Sequence, residues 1–217
     1  MLKKRYKTIL FDMDGTVDNT DPMILEAMNR LYDEYRGGNR TDPKEVMYFS
    51  GPPIRDTLLK EFPDQDIDFM FKRFSEVSYS LYATHTYPYQ HSKEVLLELK
   101  SEGFQLGIVT NKLHWLTEYA LKCIGLDGIF DYIVGYDDVS NPKPHQEGIE
   151  KAIKFFNSSK EETIYIGDNK SDYLTAVAAN VDSIIVNWGP RVLPNDVKPT
   201  YKIDSYLDLK GILYEKF

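Results

Sequence analysis

Asp12-Met13-Asp14-Gly15-Thr16 follows the apolar run Thr8-Ile9-Leu10-Phe11, which places two carboxylates at the tip of a buried strand. In open α/β sheets, ligands bind outside the carboxyl ends of the strands. Residues two apart on an extended chain point the same way, so Asp12 and Asp14 share one small site unless the turn begins between them. Gly15 lets the backbone turn and approach a ligand closely. Taken alone, the same residues also read as a strand ending in a solvated acidic turn.

Three further segments end in comparable chemistry. Val109-Thr110-Asn111-Lys112 closes a second apolar run just before a helix expected from Leu113. A hydroxyl and free N–H groups at a helix start suit phosphate oxygens, although a plain helix cap uses the same residues. In Asn141-Pro142-Lys143-Pro144 two prolines stiffen the chain around a lysine, which reduces the entropy cost of aiming its ammonium into a cleft. A solvated loop lysine is the ordinary alternative. Thr163-Ile164-Tyr165-Ile166 runs into Gly167-Asp168-Asn169-Lys170-Ser171-Asp172, where capping would explain either aspartate singly.

The conjunction says more than any member. In a parallel sheet all these strand ends lie on one edge, which gathers the carboxylates of Asp12, Asp14, Asp168 and Asp172. About four carboxylates within a few ångströms cannot all ionise without a cation. Magnesium suits an all-oxygen set that also takes a substrate phosphate, whereas zinc calls for His or Cys. His85, His91, His114 and His145 show no ligand spacing and are assigned to surface or substrate-side positions.

The elements that position these groups are short. Strands are expected at Thr8–Phe11, Gln105–Val109, Tyr132–Val134, Thr163–Ile166 and Ser183–Val186, alternating with helices over Lys93–Glu102, Leu113–Ile124, Gln146–Phe156 and Ser171–Ala179. The interval from Phe11 to Gln105 is roughly three times what one crossover needs, so it holds an inserted lobe. Asp21-Pro22 reads as a cap and first helical position before the stripe Leu25, Met28, Leu31, Tyr32 and Tyr35. A short helix starts at Asp42-Pro43-Lys44-Glu45 with capping-box spacing, and Gly51-Pro52-Pro53 breaks the chain before Ile54–Lys60. Another helix carries Ile67, Met70, Phe71, Phe74, Val77, Leu81 and Tyr82 on one side, and the chain returns near Tyr87-Pro88-Tyr89. This predicts an α/β core of residues 1–17 and 88–217 and a helical cap of 18–87, with flexible junctions near Asp18 and Pro88.

Composition excludes several classes. Over 217 residues, 42% hydrophobic and 13% aromatic content suffices for a packed core and argues against disorder. A net charge of -8 leaves no basic footprint for nucleic acid. No stretch reaches transmembrane length, and the basic start Met1 to Lys7 has no apolar signal region, so no membrane association and a cytoplasmic location are expected. The lone Cys123 reads as helix core, and Tyr79, Tyr82 and Tyr87 as cap or hinge packing.

Asp12-x-Asp14-Gly15-Thr16, Thr110, Lys143 and Gly167-Asp168-x-x-x-Asp172 resemble, in order and element by element, the four motifs of the haloacid dehalogenase superfamily of phosphohydrolases. The resemblance covers the core end to end and implies a Rossmann-like parallel sheet with an inserted α-helical cap. It implies that Asp12 attacks phosphorus to form an aspartyl-phosphate and that Asp14 serves as general acid, then base. Magnesium would be held by the Asp12 carboxylate, the Asp14 carbonyl and Asp168, with Asp172 in support. Thr110, Lys143 and the N–H of Asn111 would stabilise the phosphoryl oxygens. A dehalogenase or phosphonatase of this superfamily would lack an acid at position 14.

Gly107 to Lys112, Asp137-Asp138-Val139, Lys143-Pro144 and Asn187-Trp188-Gly189 look most like phosphoglycolate phosphatases and their near relatives. The implied activity is magnesium-dependent hydrolysis of a small phosphorylated metabolite, phosphoglycolate among the candidates, by a monomer or homodimer. A phosphomutase and a pyrophosphatase are alternatives from the same superfamily; a receiver-type phospho-acceptor module is disfavoured by the position of Asp12 on the first strand. Relatives usually carry Asp where this chain has Asn19, which bears on cap closure. By analogy with cap loops in relatives, Arg55 is expected to reach the substrate's distal group, with a solvated helix-start arginine as the alternative.

Overall fold

The computed structural model describes residues 3–46, 49, 53–189 and 191–214. Strand β1 (Thr8–Phe11) leads through a short β2 (Asp18–Asn19) into helices α1 (Asp21–Tyr35), α2 (Pro43–Val46), α3 (Ile54–Glu61) and α4 (Ile67–His85), and β3 (Tyr87–Pro88) brings the chain back. Then follow α5 (Ser92–Ser101), β4 (Gln105–Val109), α6 (His114–Cys123), β5 (Tyr132–Val134), α7 (Glu147–Phe156), β6 (Thr163–Gly167), α8 (Lys170–Ala179), β7 (Asp182–Val186), β8 (Tyr201–Ile203) and α9 (Leu209–Leu213). Six strands form one sheet in the order β5-β4-β1-β6-β7-β8, parallel throughout.

The strands are buried on both faces, as a sheet covered by crossover helices requires. Ile9, Phe11, Ile108 and Ile166 face one core, while Leu10, Val109 and Tyr165 face another beneath α7 and α8. The first core runs without a break into the helical lobe through Met13 and Val17. On the second face α7 comes very close to β4: a Cβ at Gly148 would lie 2.6 Å from Val109 Cγ1. Only glycine lets the helix rest against the residue that precedes Thr110.

Within the lobe, α1 buries Ile24, Ala27, Met28, Leu31 and Tyr32, the spacing of one helical face. On α4 the buried set is Met70, Phe74, Val77, Ser78, Leu81 and Tyr82, and Asp66 caps its start by accepting from Phe69 N at 2.8 Å. Glu61, buried at the end of α3, accepts from Tyr32 Oη at 3.0 Å, Thr41 Oγ1 at 2.5 Å and Arg36 Nη1 at 3.1 Å, which ties three segments together. The two linkers pair antiparallel, Asp18 opposite Pro88 and Asn19 opposite Tyr87.

Several expectations need correction. Asp21 is not the helix cap: it lies in the first turn, Asn19 Oδ1 accepts its N–H at 3.3 Å, and its carboxylate turns to Arg191. Tyr82 is buried as expected, but Tyr79 and Tyr87 are about half exposed. Tyr79 stacks on Tyr119 of α6 at 4.4 Å between centroids, across the seam between lobe and sheet. The edge strand β8 has no counterpart among the expected strands because Lys202 interrupts its run, Tyr201-Lys202-Ile203. Gly51 and Pro52 of the expected break lie outside the described residues.

Candidate active site

Register brings the acidic groups together. Phe11 pairs with Ile166, and Asp12 N donates to Ile166 O at 2.8 Å, so Asp12 and Asp168 leave adjacent strand ends side by side. Asp172 joins them from the first turn of α8, and the three offer carboxylate oxygens within 4.8 Å of one another. They are 1%, 4% and 1% exposed for Asp12, Asp168 and Asp172. Lys143 Nζ lies 2.7 Å from Asp12 Oδ1 and 2.6 Å from Asp172 Oδ1, and donates to Tyr165 Oη at 3.1 Å. Burial opposes its charge, but the two carboxylates outweigh burial and hold the ammonium above its usual range.

One ammonium does not balance this cluster. Burial, reinforced by Asp172, pushes the Asp12 carboxyl up to about 7 against the pull of Lys143. Burial also lifts Asp168 well above the carboxylate range, against the pull of Arg191. Asp12 Oδ2 and Asp168 Oδ1 are buried and accept no hydrogen bond. Two orphaned carboxylate oxygens in a pocket of oxygen donors suit a small hard cation, so the residues fit magnesium. Asp172 is differently placed: its Oδ2 accepts from Asp168 N at 3.1 Å and Asn169 N at 2.9 Å, and its Oδ1 is taken by Lys143 and Tyr165. Both oxygens already serve protein donors.

Asp14 does not join the triad, which corrects the expectation of four clustered carboxylates. The turn begins between Asp12 and Asp14: the N–H groups of Thr16, Val17 and Asp18 all reach Met13 O, and Gly15 has φ +81°. A Cβ on Gly15 would fall 2.2 Å from Asp168 Oδ2, so the turn and the Asp168 carboxylate share one space. The Asp14 side chain instead makes a close ion pair with Lys112, whose ammonium stands 5.2 Å from the Tyr82 ring centroid. Burial works against the Lys112 charge, yet Asp14, Tyr82 and Asp18 together keep its pKa raised.

Thr110 and Asn111 follow β4 as expected, and both line the cavity next to Asp12 and Asp14. Thr110 Oγ1 accepts Lys112 N at 3.2 Å, and the Asn111 amide grips the main chain of Lys143. Glu147 holds the same loop from the start of α7, accepting from Ser140 N, Asn141 N and Asn141 Nδ2 at 3.0 Å each. Across the site, Arg191 donates to Asp168 Oδ2 and Asp21 Oδ1, both at 2.5 Å, joining the sheet edge to α1. The cavity of about 100 Å³ lies between this edge and α1, α3 and α4. Arg55 is on its wall, with Nη1 donating to Asp68 Oδ1 at 2.7 Å and the guanidinium 4.5 Å from the Phe71 ring centroid.

A family model for haloacid dehalogenase-like hydrolases matches residues 9–186, from β1 to the end of β7. The chain belongs to the haloacid dehalogenase-like hydrolases. It is 32% identical to the pyrophosphatase PpaX of Bacillus mycoides over 96% of this chain and 97% of that protein. With the pyrophosphatase PpaX of Bacillus pumilus the identity is 34%, over 98% and 99%. Its fold is shared with a predicted phosphoglycolate phosphatase of Haemophilus somnus, at a TM-score of 0.85, 22% identity and coverage of 96% and 98%. It is also shared with a haloacid dehalogenase-like hydrolase of Streptococcus pneumoniae, at 0.84, 24% identity, 96% and 98%.

For a haloacid dehalogenase-like hydrolase of this sequence, pattern reading missed Lys112, Tyr165, Glu147 and Arg191. Lys112 stood inside the string Thr110-Asn111-Lys112, but nothing local shows that Asp14 and Tyr82 enclose it. Tyr165 looked like an ordinary inward strand residue; a hydroxyl in a fully buried run was the available signal, since it must find a partner. Arg191 had no signal, because both its partners are remote in sequence.

Proposed function

We propose that the chain is a magnesium-dependent phosphomonoester hydrolase that works through an aspartyl-phosphate on Asp12. The observation that carries this is the pair of buried, unpartnered oxygens, Asp12 Oδ2 and Asp168 Oδ1, beside a lysine already bound to Asp12. Asp12, Asp168 and the Asp14 carbonyl would hold magnesium, with Asp172 keeping the loop and Lys143 in place. Bound there, the ion offsets the charge of the carboxylates and of the incoming phosphate.

Asp12 attacks phosphorus, and the P–O bond to the leaving group breaks as the Asp12–phosphorus bond forms. Asp14 acts in its protonated form, released from the ion pair with Lys112: it gives its proton to the departing oxygen, then takes one from the water that cleaves the acyl phosphate, so it ends as it began. Lys143, the Thr110 hydroxyl and the Asn111 N–H stabilise charge on the phosphoryl oxygens. Residues 18–87 act as the cap, closing on the Asp18 and Pro88 pair and excluding bulk water.

A second reading, hydrolysis of inorganic pyrophosphate, is favoured by the relatives of 32% and 34% identity that carry that activity in their names. Phosphoglycolate is the narrower candidate that the strand-end motifs suggest. The test is phosphate release from a panel of phosphorylated metabolites and pyrophosphate, with and without magnesium. Asp12→Asn should abolish release; undiminished activity in that variant would overturn the assignment of Asp12.

A further inference from the structure

Beyond the end formed by Asp12, Asp14, Thr110, Asn111 and Lys112, the cavity wall is mostly apolar. Met23 and Ile24 of α1, Ile54 of α3, Phe71 and Phe74 of α4 and Leu116 of α6 line it. The two serine hydroxyls on that wall are already used as donors, Ser75 Oγ donating to Phe71 O at 2.8 Å and Ser78 Oγ to Phe74 O at 2.7 Å. Two cations reach the wall and each has an acidic partner: Lys112 is bound to Asp14, and Arg55 to Asp68 while lying over Phe71.

A second phosphate or a carboxylate at this end would give up its hydration for carbon surfaces, and would have to take Lys112 from a buried pair or Arg55 from an exposed one. An uncharged hydrocarbon group gains from the same burial. The volume sets an upper size: a dry cavity of about 150 Å³ accepts benzene, and the cavity of about 100 Å³ also includes the Asp12 and Thr110 end, so the apolar part suits a short group of up to roughly four carbons. We propose that the preferred substrates are phosphomonoesters of compact, uncharged, apolar alcohols, in preference to pyrophosphate or phosphoglycolate. This rests on the phosphomonoesterase assignment of the same site, and it separates this chain from the activity named for its PpaX relatives.

The test uses the full chain with magnesium. Ethyl, propyl and butyl phosphate have leaving alcohols of similar basicity, so kcat/KM along the series reads contact with the wall. It should rise at least about tenfold from ethyl to butyl. Isobutyl phosphate has nearly the shape of phosphoglycolate with the carboxylate replaced by an isopropyl group. Its KM should be at least about tenfold lower than that of phosphoglycolate or magnesium pyrophosphate, and Leu116→Ala should flatten the alkyl series. A flat series in the parent enzyme, a lower KM for either anion, or a slope unchanged by Leu116→Ala would overturn the inference while phosphate release leaves the phosphatase assignment standing. No phosphate from any ester would overturn that assignment and the inference with it.

Discussion

Asn111 and Lys143 hold one another in both directions across the sheet edge: Asn111 Oδ1 accepts Lys143 N at 3.0 Å, and Asn111 Nδ2 donates to Lys143 O at 3.3 Å. The amide therefore fixes where the lysine starts, and the ammonium reaches Asp12 from a set position. Asn111→Ala should lower kcat about 100-fold, the usual cost of a misplaced catalytic group. Stability should fall by only about 1–2 kcal/mol, for two ordinary hydrogen bonds. Steady-state kinetics and calorimetry on the same preparation check both. A rise in KM with kcat intact would contradict the positioning role.

Asp14 and Lys112 should separate catalysis from stability. Asp14→Asn should cut kcat by about 10²–10⁴, the range for general acid–base catalysis. It also leaves a buried ammonium without its closest partner, at about 3 kcal/mol. Adding Lys112→Met should restore most of the lost Tm and none of the lost kcat. If the double variant melts as low as the single one, the pair does not stabilise the fold in this way.

Arg191 bears on metal binding. Removing its guanidinium takes away a cation that competes with the ion for Asp168, so Arg191→Ala should melt lower than the parent in EDTA and bind magnesium more tightly. A ligand that binds only the folded state raises Tm according to its concentration over Kd. The rise in Tm on adding magnesium should therefore be larger in Arg191→Ala than in the parent, measured by thermal melts at matched ionic strength. An equal rise would show that the guanidinium and the ion do not compete.

The loop that carries Lys143 should be acid-sensitive. The N–H of Ser140 and the side chain of Asn141 hold the Glu147 carboxyl at about 2, below its ordinary 4.5. A depressed folded-state pKa contributes stability that is fully present above the unfolded value and lost as pH falls through the folded one. The Tm difference between the parent and Glu147→Gln should thus be constant above about pH 5 and shrink toward pH 2. A difference that grows with acid would place the stabilisation elsewhere.

The sheet was legible from sequence because buried parallel strands are apolar runs and crossover helices repeat at a fixed period. The register that seats Asp12 beside Asp168 follows once Phe11 and Ile166 are both strand ends. What stayed hidden were ties between residues far apart in the chain. Asp21 looked like a cap because Asp-Pro commonly starts a helix; its partner Arg191 is 170 positions away. The separation of Asp14 from the triad was equally hidden, since the i, i+2 rule holds only while the backbone stays extended and Met13 O ends that extension by accepting three amides. Strand β8 escaped because Lys202 breaks its short apolar run, whereas the equally short Tyr132–Val134 is apolar throughout.

Trp188 donates Nε1–H to Gly15 O at 3.1 Å and stacks on Tyr206 at 4.8 Å between centroids. The chain's other tryptophan, Trp115, stands half exposed, 6.1 Å from Tyr79 of α4. One indole thus reports on the turn that carries Asp14, and the other on the seam where lobe and sheet meet. The molecule carries its two tryptophans at that turn and at that seam, and replacing either with phenylalanine lets the indole emission of the other be followed without an attached dye.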